Sequence, residues 1–101
     1  MPGVNQPYEY PYETVAISQT AQPLGGTGAI GDYLHRLIIN VATSATSTVS
    51  LLDGSTSIAI MSATTAIGTY LLEFNTRSAS GAWSVTTGAG ASVIAVGKFS
   101  A

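Results

Sequence analysis

The sequence lacks most of the residues on which protein chemistry depends, having no cysteine, one histidine and three basic residues. Without cysteine there are no disulfides, thiolate nucleophiles or cysteine-ligated zinc sites. A single histidine removes the usual transition-metal ligand and the usual acid–base group near neutral pH. Three cations against a formal net charge of −2 cannot neutralise a nucleic-acid backbone. We therefore expect no enzymatic activity, no cofactor, no metal and no nucleic-acid partner.

Long apolar segments are also missing. No stretch approaches the ~20 apolar residues that span a bilayer, and residues 1–3 do not form the basic start of a signal peptide. We expect no membrane association.

Small residues dominate what is present, since Ala (14), Thr (13), Ser (12) and Gly (11) make up 50 of the 101 residues. Charged residues are only 8% of the chain, against about a quarter in a typical globular protein. The length suits one domain with one modest core. A surface so poor in charge is typical of a protein that works in an assembly, although a hydroxyl-coated monomer is the alternative.

The first twelve residues predict an extended N-terminal arm. Three prolines push their neighbours toward extended conformations, and the tyrosines at positions 8, 10 and 12 then share one side. Tyrosine is common at binding hot spots, so we expect this arm to contact a partner surface; the alternative is a disordered start. The predicted contact residues are Val4, Tyr8, Tyr10, Pro11 and Tyr12.

The sequence predicts two regions. Residues 1–31 hold the arm and a Gly/Pro-containing loop, with a possible first strand at 13–22, and residues 32–101 form the compact body. Helix signals are nearly absent, while β-branched runs separated by turns recur every 8–12 residues. This pattern predicts an all-β fold, an antiparallel β-sandwich or jelly roll of about 7–8 strands.

Individual strands follow from alternation. Residues 33–42 predict an interior strand with Tyr33, His35 and Leu37 on one face and Leu34 and Arg36 on the other. Further predicted strands are 48–53 and 57–62 around an Asp-Gly turn, then 69–76, a strand opening at 83, and 91–99. We expect His35 to be a packed or interface residue and Arg36 to pair with a carboxylate or a neighbouring subunit.

Three other features have both a functional and a structural interpretation. Asp32, Asp53 and Glu73 have the oxygen ligands that calcium prefers, but they are isolated in the sequence. The glycine-rich run at 25–31 lacks the lysine of a phosphate loop, which favours a flexible connection. Trp83 is predicted to fill the core, the alternative being an exposed platform for a sugar.

Four segments of the chain resemble one family. Residues 31–40, 49–55, 77–88 and 92–97 resemble the jelly-roll decoration (cement) proteins of tailed-bacteriophage capsids, and the similarity covers roughly residues 29–101. The resemblance implies a structural virion protein, assembled in the bacterial host cytoplasm and bound to the capsid outer surface. There it would act as a homotrimer that clamps neighbouring copies of the major capsid protein and does no chemistry.

A different class of function stays open. A head-fibre or tail-associated module that recognises a host surface glycan would have the same fold. It predicts Trp83, Tyr70 or Tyr33 exposed in a groove beside Asn75 or Arg77.

Overall fold

A computed structural model describes residues 10–100 as two packed β-sheets. Eight strands occur in this range: β1 Tyr12–Val15, β2 Gln22–Pro23, β3 Tyr33–Val41, β4 Val49–Asp53, β5 Thr56–Met61, β6 Gly68–Arg77, β7 Trp83–Thr87 and β8 Ala91–Lys98. Within the same range the only helical segment is the 3-10 turn Ser44–Thr46. No helix of the described residues is therefore long enough to cross a membrane. The prediction of an all-β sandwich is confirmed.

The strand order is that of a jelly roll. Sheet A has the order β1-β8-β3-β6 and sheet B the order β2-β7-β4-β5. The first strand pairs with the eighth, the second with the seventh, the third with the sixth and the fourth with the fifth, all antiparallel. The chain thus forms one long antiparallel hairpin that is folded over on itself. The additional pairs β3–β8 and β4–β7 join its parts into the two four-stranded sheets.

The core lies between the two sheets and is made mainly of residues that alternate inward along β1, β3, β4, β7 and β8. Its buried members are Val15, Leu24, Leu34, Leu37, Ile39, Val41, Val49, Leu51, Trp83, Val85, Ala91, Val93 and Ala95. Tyr70, Leu72 and Phe74 of the edge strand β6 pack against it while half exposed. Most core residues are β-branched or leucine, which fit a pleated inner face.

The compact body begins at Tyr12, twenty residues before the predicted boundary at Asp32. The predicted first strand at 13–22 is two short strands that lie in different sheets, with a turn between them. Val15 and Leu24 are fully buried in the core. Strands of four and two residues are too short for alternation to show that the predicted strand is divided.

The prediction of which β3 side chains share a face is correct from Arg36 onward, but before the β-bulge the faces of Tyr33 and Leu34 are exchanged. The register of β3 against both neighbours shifts between Leu34 and Arg36. Because of this shift, Leu34 turns inward with Leu37, while His35 and Arg36 are both half exposed on the outer face. A one-residue shift exchanges the faces of a strand, and strict alternation could not show it.

One end of the sandwich is held by the buried carboxylate of Asp32. Its Oδ2 accepts hydrogen bonds from the backbone N–H of Ala29 (3.0 Å) and of Ser100 (2.9 Å), and its Oδ1 accepts one from the Ser100 hydroxyl (2.7 Å). Burial raises the pKa of Asp32, but these hydrogen bonds outweigh burial and leave the pKa below its ordinary value.

The main chain of Asp32 joins two further segments to this end. Its carbonyl accepts hydrogen bonds from the Trp83 indole Nε1 (2.8 Å) and from the backbone N–H of Ser78 (3.0 Å). The glycine-rich run is held beside it, since the N–H of Gly28 donates to the Ser100 carbonyl at 3.1 Å. At Gly25, φ is +89° and an added Cβ would lie 2.3 Å from that carbonyl oxygen. The glycine-rich run was expected to be a flexible connection, but hydrogen bonds hold it in place.

We predict that Asp32→Asn lowers the free energy of unfolding by about 1–3 kcal/mol near neutral pH, because it weakens charged hydrogen bonds at a buried site. Since the folded state depresses the pKa of Asp32, its contribution is complete above the unfolded value of about 3.9. It is lost as the pH falls below that value and through the folded pKa.

Urea unfolding at pH 7 and pH 3 measures both effects, with Glu73→Gln as the control because Glu73 is an exposed carboxylate. Wild type and the control should lose more stability between the two pH values than Asp32→Asn does. An equal loss in all three proteins would contradict this role for Asp32.

Candidate functional site

The outer face of sheet A carries apolar, aromatic and basic side chains and is the candidate functional surface. The antiparallel register arranges its outward side chains in four rows that cross the strands, which we name the basic, mixed, apolar and polar rows. In order, they are Lys98–Tyr33–Arg77, Tyr12–Val96–Arg36–Glu73, Thr14–Ile94–Ile38–Leu71 and Ser92–Asn40–Thr69.

The apolar row crosses the middle of this face. Ile94, Ile38 and Leu71 lie side by side on β8, β3 and β6, and Leu71 is 58% exposed. Val96, in the next row, is buried although it lies outside the core between the sheets. Tyr12, its partner on β1, is 69% exposed. Contiguous apolar side chains on an outer face mark an interaction surface more often than a solvated one.

An aromatic cluster stands at one end of the face, where the β-bulge turns His35 outward. The Tyr10 ring lies 5.3 Å from that of Tyr33 and 5.6 Å from the imidazole of His35. The Tyr33 hydroxyl donates to Asn75 Oδ1 at 2.8 Å. Asn75 has a φ of +49°, a conformation that asparagine tolerates better than most residues.

Arg36 and His35 contact each other within this cluster. Arg36 Nη1 lies 3.0 Å from His35 Nδ1, and because guanidinium can only donate, Nδ1 is the acceptor in this contact. The predicted pairing of Arg36 with a neighbouring subunit stays a prediction. The register places it beside Glu73, yet no ion pair joins them within residues 10–100.

All three basic residues of the chain lie at this end of the outer face. Lys98 and Arg77 flank Tyr33 in the basic row, and Arg36 is in the row beside it. Glu73 is the single carboxylate in the four rows. The end is therefore positive, although the chain carries a formal net charge of −2.

The outer face of sheet B contrasts with that of sheet A. Its outward side chains are Pro23, Ser50, Leu52, Ser57, Ala59, Ser84 and Thr86. Four are hydroxyl residues and none is charged. This face has the composition of a neutral, hydrated surface.

The carboxylates considered as calcium ligands are separate, and two of them, Asp32 and Asp53, hold the fold by hydrogen bonds. Asp53 accepts hydrogen bonds from the backbone N–H groups of Ala79 and Ser80, at 2.9 to 3.1 Å. The bond from Ser80 is the main reason that the pKa of Asp53 lies below its ordinary value. No group of three or more His, Cys, Asp or Glu side chains that could hold a metal occurs among residues 10–100.

Trp83 is in the core, as the sequence predicts. It is 3% exposed, and its indole N–H is satisfied by the Asp32 carbonyl. A side chain so enclosed presents no ring face to a sugar, so the alternative of a Trp83 platform is wrong.

The predicted arm residues lie only in part within the described chain. Tyr10, Pro11 and Tyr12 run along β8, and the Pro11 carbonyl accepts a hydrogen bond from Gly97 N–H at 3.2 Å. The Tyr10 ring contacts Tyr33 and His35 of the same chain, whereas the Tyr12 side chain is mostly exposed. Val4 and Tyr8 lie outside the described residues. Their role in binding a partner stays a prediction.

The rows of the outer face could not be predicted from the sequence. Leu71, Ile94 and Lys98 were not singled out, because strand pairing brings them together from β6 and β8. Predicting these rows requires the order of the strands in the sheet, which the pattern of a single sequence does not show.

Comparisons with known proteins identify no relative. No family model, curated protein or solved structure matches this chain. The function must therefore be argued from the geometry described above.

We predict that the fluorescence of Trp83 reports a shielded indole. Its emission should be blue-shifted relative to the urea-unfolded chain, and acrylamide should quench it much less efficiently in the folded state. Addition of bacterial polysaccharide should leave the emission unchanged. Quenching as efficient as in the unfolded chain would contradict the buried position.

We also predict that Tyr10→Ala lowers the free energy of unfolding by about 0.5–1.5 kcal/mol, because Tyr10 makes two aromatic contacts within the chain. Tyr12→Ala is the matched control and should change it by less than about 0.5 kcal/mol, since the side chain is mostly exposed. Thermal or urea unfolding measures both. Equal losses would show that the cluster does not hold Tyr10.

Proposed function

We propose that this chain is a structural protein of a phage virion, which binds the outside of the capsid and cements neighbouring subunits of the major capsid protein. The observation that carries the proposal is the apolar row of Ile94, Ile38 and Leu71 across the outer face of sheet A. A monomer gains nothing from exposing such a row, whereas a protein bound to a shell covers it.

The composition of the two outer faces supports a molecule with a defined orientation. One face carries apolar, aromatic and basic side chains, and the other carries mainly hydroxyl groups. A decoration protein needs one surface that adheres to the shell and one that faces solvent. The resemblance of the sequence to capsid decoration proteins supports the same interpretation.

The size of the face favours repeated contacts. Three strands of at least eight residues and the four-residue β1, about 4.8 Å apart with ~3.3 Å per residue, give a face of roughly 450 Å². A stable interface buries about 800 Å² per partner, so one face alone would bind weakly. Three copies acting together, as the resemblance implies, would raise the effective concentration of each contact. A bound arm formed by residues 1–12 would add area.

The copy number in purified virions tests this proposal. Quantitative mass spectrometry should give a ratio to the major capsid protein near one to one, as expected for a protein that tiles the shell. A few copies per particle would place the chain in a fibre or tail. Its absence from virions would rule out both positions.

A second function, recognition of a host surface glycan, is favoured by one observation. Tyr33 lies beside Arg77 in the register and donates to Asn75, so an aromatic ring, an amide and a guanidinium meet at one site. This is the combination that the glycan alternative predicts. Binding of host polysaccharide that Tyr33→Ala abolishes and Tyr70→Ala preserves would favour it over the capsid.

A further inference from the structure

The positive charge of this chain is concentrated on one surface. Arg36, Arg77 and Lys98 are its only Lys and Arg residues, and all three lie in the basic and mixed rows of sheet A. None of them forms an ion pair with a carboxylate of residues 10–100. Their charges are therefore available to a partner.

The carboxylates elsewhere in the described chain accept hydrogen bonds from backbone N–H groups of the same chain. Glu13 Oε1 accepts the backbone N–H of Gly25 at 2.7 Å, and Asp32 and Asp53 accept the backbone bonds already described. Glu73 is the exception, and it lies on the outer face itself. The face thus carries three cations and one carboxylate, for a local charge of +2 (3 − 1) in a chain of net charge −2.

We propose that the outer face of sheet A binds an acidic protein surface, on which Asp and Glu side chains lie beside an apolar patch. This inference rests on the proposed function, in which that surface belongs to the shell protein. The basic row meets the carboxylates, and the apolar row meets the apolar patch. Sheet B then faces solvent.

A second copy of this chain is a poorer occupant. Two outer faces pressed together would bring six cations against two carboxylates. Like charges brought together at an interface oppose association. The charge of the face therefore selects a partner of different composition.

An anionic polysaccharide is also a poorer occupant. Sugar rings bind aromatic faces and hydrogen-bonding groups, which the basic end of the face offers. The middle of the face is formed mainly by Ile94, Ile38 and Leu71 of the apolar row, and these three side chains have no polar group to offer a sugar. The whole face is covered only by a partner that supplies apolar side chains as well as acidic ones.

Two double variants with the same net charge test the proposal. Arg77→Gln/Lys98→Gln removes two charges from the outer face of sheet A. Ser57→Glu/Ala59→Glu adds two negative charges to exposed positions on the outer face of sheet B. Each takes the formal net charge from −2 to −4. Matching unfolding curves confirm that both proteins fold.

Binding is measured to capsids purified from virions that lack this protein, at several salt concentrations. Wild type should bind and should weaken as salt rises. The sheet A variant should bind on the order of tenfold more weakly with a smaller salt dependence, since rim charges mainly set association rate and salt dependence. The sheet B variant should match wild type within about twofold. Leu71→Gln should also weaken binding, independently of charge.

Each contrary outcome has a separate meaning. If wild type does not bind capsids, the proposed function fails and this inference fails with it. If wild type binds and the sheet A variant binds equally well, or only the sheet B variant weakens, the inference is wrong while the proposed function stands. If alginate, a polyuronate, displaces the protein at low salt while an acidic peptide does not, the face is a glycan site.

Discussion

The hydrogen bonds around Asp32 are the constraint on which the rest of this structure depends. A jelly roll must hold together strands that are distant in sequence, and here one residue joins four segments. Its carboxylate binds the loop at Ala29 and the C-terminal Ser100, and its carbonyl binds Trp83 and the turn at Ser78. These hydrogen bonds lie at the ends of β3, β6 and β8, the three strands that carry most of the outer-face rows.

Strand pairing turns this arrangement into a surface. Residues that are isolated in the sequence become neighbours because β8, β3 and β6 lie side by side. The bulge at His35 adds a second effect, since it moves that residue outward and makes room for the Tyr10–Tyr33 cluster. The resulting face is apolar in the middle and positive at one end, while the opposite sheet shows mainly hydroxyls. This difference between the faces is what the functional proposal explains.

Much of the fold could be predicted from the sequence, and the reasons are local. The hairpin around Asp53 and Gly54, the interior strand at β3 and the buried Trp83 each follow from turn chemistry or alternation within a few residues. A first strand at 13–22 was predicted, but its division into two short strands in different sheets could not be, and neither could the bulge, because both depend on partners in β7 and β8. The candidate surface was recognisable only in part. His35, Arg36 and Tyr12 were singled out, but the apolar row needed the strand order.

We propose above that this jelly roll lies on a capsid with sheet A toward the shell. A cryo-electron microscopy map of the decorated virion measures this directly, because the two sheets differ in strand order and in the position of the bulge. We expect the outer face of sheet A, with Leu71 and Lys98, at the shell contact and the hydroxyl face of sheet B in solvent. Density with sheet B against the shell, or density for this chain only in a fibre or tail, would contradict the claim.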